Sequence, residues 1–297
     1  MEKTHRLRWA EMRPSERRDA AVSFIGQVLK WAFVGAMCIF TLYPVIYTLL
    51  GSFKTNAELT LGGGILPEKW QIENYIYAFQ KLEFGKYTLN SVVLALLTVL
   101  FTVTTASMAA YIIARREFPG KKLLTGTFGF MMFLIGAVTL FPIFQLCRKL
   151  GLLDSIWGMV ITQIATAQPF YCILVMGYCN GISKEIDEAA TIDGASFFKV
   201  YTTILMPIMK PILATTGILA FRDTWNNYMM PLAFTLSRSE LRPLTVGVVL
   251  LKDQGDGVAA WSTMLAGTVM SIVPILIVYL FLNRYFIEGI TAGAIKG

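Results

Sequence analysis

Ser183–Pro211, SKEIDEAATIDGASFFKVYTTILMPIMKP, is a long polar interruption between apolar segments, and it reads as two short helices joined by a sharp corner. Ser183 can accept from the free N–H groups of a helix start. Glu185 and Asp187 occupy the first turn, where the helix dipole favours acids. Glu188, Ala189 and Ala190 continue that helix, and Gly194 can close it in a left-handed conformation. Ser196 can cap a second helix carrying Phe197, Phe198, Val200 and Tyr201. Pro207 and Pro211 fit only near a helix start. Small residues at such a corner allow close approach of another surface.

The flanks of this stretch set the class. The chain has 297 residues, 55% hydrophobic and only 15% charged. That is too apolar for an ordinary soluble domain. Five windows carry no charge: Trp31–Phe53, Tyr87–Ala114, Leu123–Cys147, Ser155–Ser183 and Gly257–Asn283. Each exceeds the ~20 residues that cross a bilayer as helix. A sixth, about 211–236, is interrupted by Arg222 and Asp223. The expected architecture is therefore all-α and integral to the membrane, with six spans. The first span is too long for a secretory signal and lacks a small-residue cleavage site after it.

Charge sets the orientation. The net charge is +7. Lys3, Arg6, Arg8, Arg13, Arg17, Arg18 and Lys30 precede the first span, and Arg115, Arg116, Lys121 and Lys122 stand between spans two and three. The positive-inside rule then puts both termini and the 183–211 loop in the cytoplasm. The basic N-terminus suits anionic lipid better than nucleic acid. Cys38, Cys147, Cys172 and Cys179 lie in or at the ends of apolar spans with no C-x-x-C. They read as reduced packing cysteines, and the single histidine, His5, leaves no metal site.

The loop's spacing is specific. Glu188-Ala189-Ala190, three residues, Gly194, nine residues, then Ile204-Leu205-Met206-Pro207 resembles the EAA loop of ABC importer permeases, with Met206 where that family has Leu. Tyr111–Lys121, the turn at 149–155 and the tail Arg284–Gly297 resemble the carbohydrate-uptake branch, most nearly its maltose-type smaller permease. The resemblance implies the six-helix type I permease fold known from the methionine importer. It implies a basic tail over 1–30, a first helix and external segment over 31–86, a transmembrane core over 87–284 and a C-terminal tail over 285–297. It also implies a second permease, a pair of ATPase subunits that hold ATP and Mg, and an extracytoplasmic solute-binding protein delivering the carbohydrate. Glu188, Ala189, Ala190, Asp193, Gly194 and Pro207 are the implied ATPase-coupling residues. Gly293, Lys296 and Gly297 are their counterparts in the tail. The chain has no P-loop G-x-x-x-x-G-K-[ST], so no phosphate cradle, catalytic residue or cofactor is expected in it.

Span five carries a polar arc. At about 100° per residue, Thr215, Thr216, Arg222, Asp223, Asn226 and Asn227 share one side, with Trp225 outside it. The arc is either an ion pair and polar seam joining span five to its neighbours, or the wall of an aqueous path. Amides suit sugar hydroxyls because they both donate and accept. The run Trp225-Asn226-Asn227-Tyr228 resembles the family's motif on this span, and Phe170, Tyr171 and Trp225 are aromatic candidates for a sugar face. The rival class is an ion-coupled secondary transporter. It would use intramembrane carboxylates and repeated halves, yet Asp223 is the sole acid in the spans and no repeat is visible. Cysteine-accessibility probes at Thr4 and Ile295 are expected to report the cytoplasm, and probes at Gly63 and Gly255 the outside. One terminus found outside would refute six spans.

Overall fold

A computed structural model describes residues 14–134, 136–253 and 260–294, and among these it is all helix with no strand. Four helices are long and apolar enough to span a membrane: α1 (Pro14–Gly51), α4 (Phe84–Arg115), α7 (Ile156–Asn180) and α14 (Trp261–Ala294). Between α1 and α4, α2 (Asn56–Leu61) and α3 (Glu73–Lys81) supply two short helices where the sequence suggested one. Thr55 and Glu58 form a capping box at α2. Amides of Glu68 and Thr55 donate to the Glu58 carboxylate and hold it below the usual range for a glutamate.

Two expected spans are broken. The third becomes α5 (Lys121–Met131) and α6 (Gly136–Lys149), neither of which reaches ~20 residues. The sequence there alternates weak helix formers, Gly126, Gly129 and Gly136, with bulky apolar residues. Pro142 sits inside α6 and does not end it. The fifth becomes α11 (Lys210–Asn226) and α12 (Met229–Phe234), with Asn227 extended between them. The freed backbone is satisfied locally. The Met230 amide donates to Asn227 Oδ1 at 3.4 Å, and Thr245 Oγ1 donates to the Trp225 carbonyl at 2.6 Å. Non-helical backbone at membrane depth is tolerated only where it is served in this way or lines a cavity.

The centre is α4, which packs against α7 and α11, with α11 also against α14. Its outer end is clamped. Asn90 donates to the carbonyls of Glu240 and Arg242, and Ser91 Oγ accepts from the Leu244 amide at the start of α13 (Leu244–Leu250). Small residues carry the contact: Ala95, Thr98, Thr102, Ala106, Ser107 and Ala110 on α4 are all buried. By contrast, α1 packs mainly on α14, and its span is unburied within the chain.

The turn before α7 is the tightest approach. Gly151 and Asp154 both have positive φ, 67° and 53°. They fold residues 151–155 back so far that a Cβ on Gly158 would stand 1.8 Å from the Leu152 carbonyl oxygen. Gly158→Ala is therefore expected to cost ~1–3 kcal/mol, as overpacking against backbone does. Gly177→Ala, whose new methyl meets nothing of this chain within 4 Å, should be near neutral. Thermal unfolding of the detergent-solubilised protein checks this, and equal melting temperatures for the two variants would contradict it.

Candidate functional site

The 183–211 stretch folds as its residues suggest. α8 spans Glu185–Ile192, with the Glu185 amide donating to Ser183 Oγ at 3.2 Å. Gly194 turns at φ 78°. Ser196 Oγ accepts from the Lys199 amide at 3.3 Å and caps a second helix over 197–208, whose middle, Val200–Leu205, is π-helical. That helix meets α11 at a 79° bend, with Pro207 and Pro211 in the turns on either side.

One ion pair ties the loop to the core. Arg115, at the last turn of α4 and 5% exposed, reaches Asp187 of α8 at 3.0 Å. Its other nitrogens donate to the carbonyls of Cys179 and Ile182, both at 3.1 Å, at the C-terminal end of α7. Tyr111 donates to the second Asp187 oxygen at 3.1 Å. The Tyr111 ring stacks on Phe197 and Tyr201, and Arg116 lies over Phe197 at 4.8 Å. Around these groups lies a cavity of about 500 Å³ that Lys184 and Glu188 also line. Sequence reasoning passed over Asp187 and Arg115 as anchors, because a partner 72 positions away leaves no local signal.

The loop presents some expected coupling residues and not others. Glu188, Ala189, Asp193, Gly194 and Pro207 are exposed, with Ile192 bare beside them at 87%. Ala190 is buried, and its carbonyl accepts from the Ala195 amide. Its small side chain packs in the core cluster with Tyr201 and Leu205. A Cβ on Gly194 would meet nothing of this chain within 4 Å, so within the chain its requirement is the left-handed φ alone. Of the tail residues, Gly293 is in the last turn of α14, and Lys296 and Gly297 lie outside the described residues.

A second site lies between α4, α7 and α11. Its cavity of about 220 Å³ is lined by Thr98, Thr102, Gln163, Thr166, Tyr171, Asp223, Thr224 and Asn227 among others. Tyr171, 1% exposed, donates to Asp223 Oδ2 at 2.7 Å, and Arg222 donates to Asp223 Oδ1 at 2.7 Å. The buried Thr98 and Thr102 hydroxyls and the Gln163 amide nitrogen have no partner in the chain. Buried polar groups are seldom left so, and their convergence on one cavity marks a place for water or polar solute.

The structure divides the predicted arc. Asp223 and Asn227 reach this cavity, whereas Arg222 and Asn226 are exposed and do not line it. Thr215 and Thr216 are buried, their hydroxyls returned to the carbonyls of Pro211 and Ile212. Trp225 stacks on Phe221 and donates its indole N–H to the Ser271 carbonyl at 3.3 Å, away from the cavity. Asn227 escapes the helical projection because α11 ends before it.

Comparison with known proteins agrees with this organisation. The sequence profile of the binding-protein-dependent transport system inner membrane component family matches residues 87–290. A probable ABC transporter permease, YurM of Bacillus subtilis, is 34% identical over 92% of this chain and 90% of its own. The trehalose/maltose transport system permease protein MalG of Thermococcus litoralis is 33% identical over 88% and 94%. A chain in the crystal structure of a bacterial ABC transporter involved in import of the acidic polysaccharide alginate superposes with a TM-score of 0.76. It shares 26% identity and covers 93% of this chain and 99% of its own.

The buried pair generates a prediction about stability. Arg115→Ala leaves the Asp187 carboxylate, whose side chain is 18% exposed, facing uncompensated burial, and should cost ~3–5 kcal/mol. Arg115→Met with Asp187→Leu removes both charges and should recover most of that loss. Urea or thermal unfolding of the four members of the cycle reads the coupling. A double variant as unstable as Arg115→Ala would show that the pair is not the cause.

Proposed function

The chain belongs to the binding-protein-dependent transport system inner membrane component family, and from that premise we propose that it is one of two permease subunits of an ATP-driven importer for a sugar or oligosaccharide. The observation that carries the proposal is the build of α4. Its last turn holds the 183–211 loop through Arg115, and its middle lines the polar cavity through Thr98 and Thr102. Thirteen residues separate Thr102 from Arg115, roughly 20 Å of rigid helix. A movement imposed on the loop is therefore delivered to the cavity.

In this reading the exposed acidic face of α8, with Glu188 and Asp193, docks on a basic surface of the ATPase pair, and Ile192 supplies the apolar contact. Closure of the ATPases on ATP and Mg rocks the helices and alternates access to the cavity. The solute arrives from an extracytoplasmic binding protein. The complex of alginate importer and binding protein with a bound alginate pentasaccharide, a 16%-identical chain at TM-score 0.68, supports the fold. The sugar assignment draws on relatives named for trehalose/maltose, diacetylchitobiose and arabinooligosaccharides. The six-span count is completed by pairing α5 with α6 across the membrane and carrying α11 on through α12. Both termini are then cytoplasmic, in the cell membrane, with the core at 87–284 and Gly293–Gly297 reaching the ATPases.

Transport by the complex reconstituted with its second permease, ATPases and binding protein tests the assignment. Asn227→Leu should weaken transport while basal ATPase activity persists, and Asn226→Leu, off the cavity, should do neither. Gly194→Val should lower binding-protein-stimulated ATPase activity without loss of membrane insertion, and removal of residues 292–297 should lower it more than assembly. Normal transport by both Asn227→Leu and Gly194→Val would end the proposal.

A further inference from the structure

The cavity's chemistry narrows what it admits. Asp223 supplies the one ionisable acid on its wall, and no lysine, arginine or histidine is among the lining residues. The carboxylate is already engaged on both oxygens, Oδ1 by Arg222 and Oδ2 by Tyr171. Arg222 is not on the wall, so the pair faces the cavity as a dipole with its negative end inward. The groups left without partners are uncharged: the hydroxyls of Thr98 and Thr102 and the Gln163 amide nitrogen. Asn227 adds a side chain that can donate and accept.

We propose that this cavity is charge-selective, passing uncharged, hydroxyl-rich solutes and excluding carboxylated ones, with Asp223 as the discriminating group. The inference rests on the reading of the chain as a carbohydrate permease. A neutral sugar finds hydroxyl and amide partners for its own hydroxyls. A uronate brings a second negative charge beside the Asp223 carboxylate, and no cationic side chain lines the wall to receive it. Discrimination by an unpaired or repelled charge is among the stronger means of specificity. The same fold serves an acidic polysaccharide in the alginate importer, so selectivity of this kind belongs to the side chains on the wall.

The potential of the cavity can be read without knowing the solute. In the assembled complex, Cys38→Ser removes the one exposed native thiol, since Cys147, Cys172 and Cys179 are buried. Asn227→Cys then reports the wall. Its reaction rates with trimethylammonium-bearing and sulfonate-bearing methanethiosulfonates are compared with those of a free thiol in solution. The ratio at position 227 should favour the cationic reagent several-fold over that reference and fall toward it with Asp223→Asn. Asp223→Asn combined with Arg222→Gln guards against an unpaired arginine perturbing the fold. A ratio equal to the free thiol's, or one unmoved by either Asp223 variant, overturns the charge assignment while leaving the aqueous path standing. No reaction with either reagent, in both nucleotide-free and ATP-bound complexes, overturns the path and the selectivity together.

Discussion

Arg115 at the C-terminal end of α4 is the point on which the rest of the structure depends. A guanidinium has five donors in a fixed plane; here its two terminal nitrogens donate to the carbonyls of Cys179 and Ile182 at the end of α7, while Nε stands 3.0 Å from the Asp187 carboxylate on α8 as an ion pair. Those carbonyls are the acceptors a helix end leaves free. A lysine has the charge but not the fork, and could not hold carboxylate and carbonyls in one geometry. Burial raises the stakes, because such a charge is stable only while its partners stay in place. The result is a joint that ties α8 and the end of α7 to α4.

That joint matters because α4 is continuous. Its small-residue face lets α7 and α11 approach closely, and its threonines at 98 and 102 stand on the cavity wall. One rigid helix thus carries the 183–211 loop at its end and the polar cavity along its length. Where flexibility is needed, the chain breaks. The bend at Met209 and the extended Asn227 interrupt the fifth segment on either side of α11. The second break feeds Asn227 to the cavity while Thr245 and Asn227 itself satisfy the backbone it exposes.

The unburied helices follow the same physics. In lipid an exposed leucine is in its preferred solvent, so the bare flanks of α1 and α14 carry no penalty. The bare residues on the loop are a different matter. Ile192 and Phe198 are exposed on a loop that also carries Glu188, Asp193 and Lys199, and apolar exposure among charged residues marks a contact surface.

Much of this was legible in residue order alone. Hydropathy located four helices long enough to cross a bilayer, because a crossing needs ~20 apolar residues, but it did not foresee the breaks in the third and fifth windows. The corner at Gly194 and the caps at Ser183 and Ser196 followed from local backbone chemistry, and the structure has them where the residues suggested. What residue order could not decide was convergence. A 100° projection places Asn226 and Asn227 together only if the helix runs on, and it stops at Asn226. That Ala190 is buried while its neighbours Glu188 and Ala189 are exposed is likewise a matter of packing. Arg115 and Asp187, or Tyr171 and Asp223, are partners across separations no periodicity spans. Local propensity and hydropathy are sums over neighbours in sequence, and fix elements. Which polar groups share a cavity depends on the packing of three helices at once, and that only the tertiary structure decided.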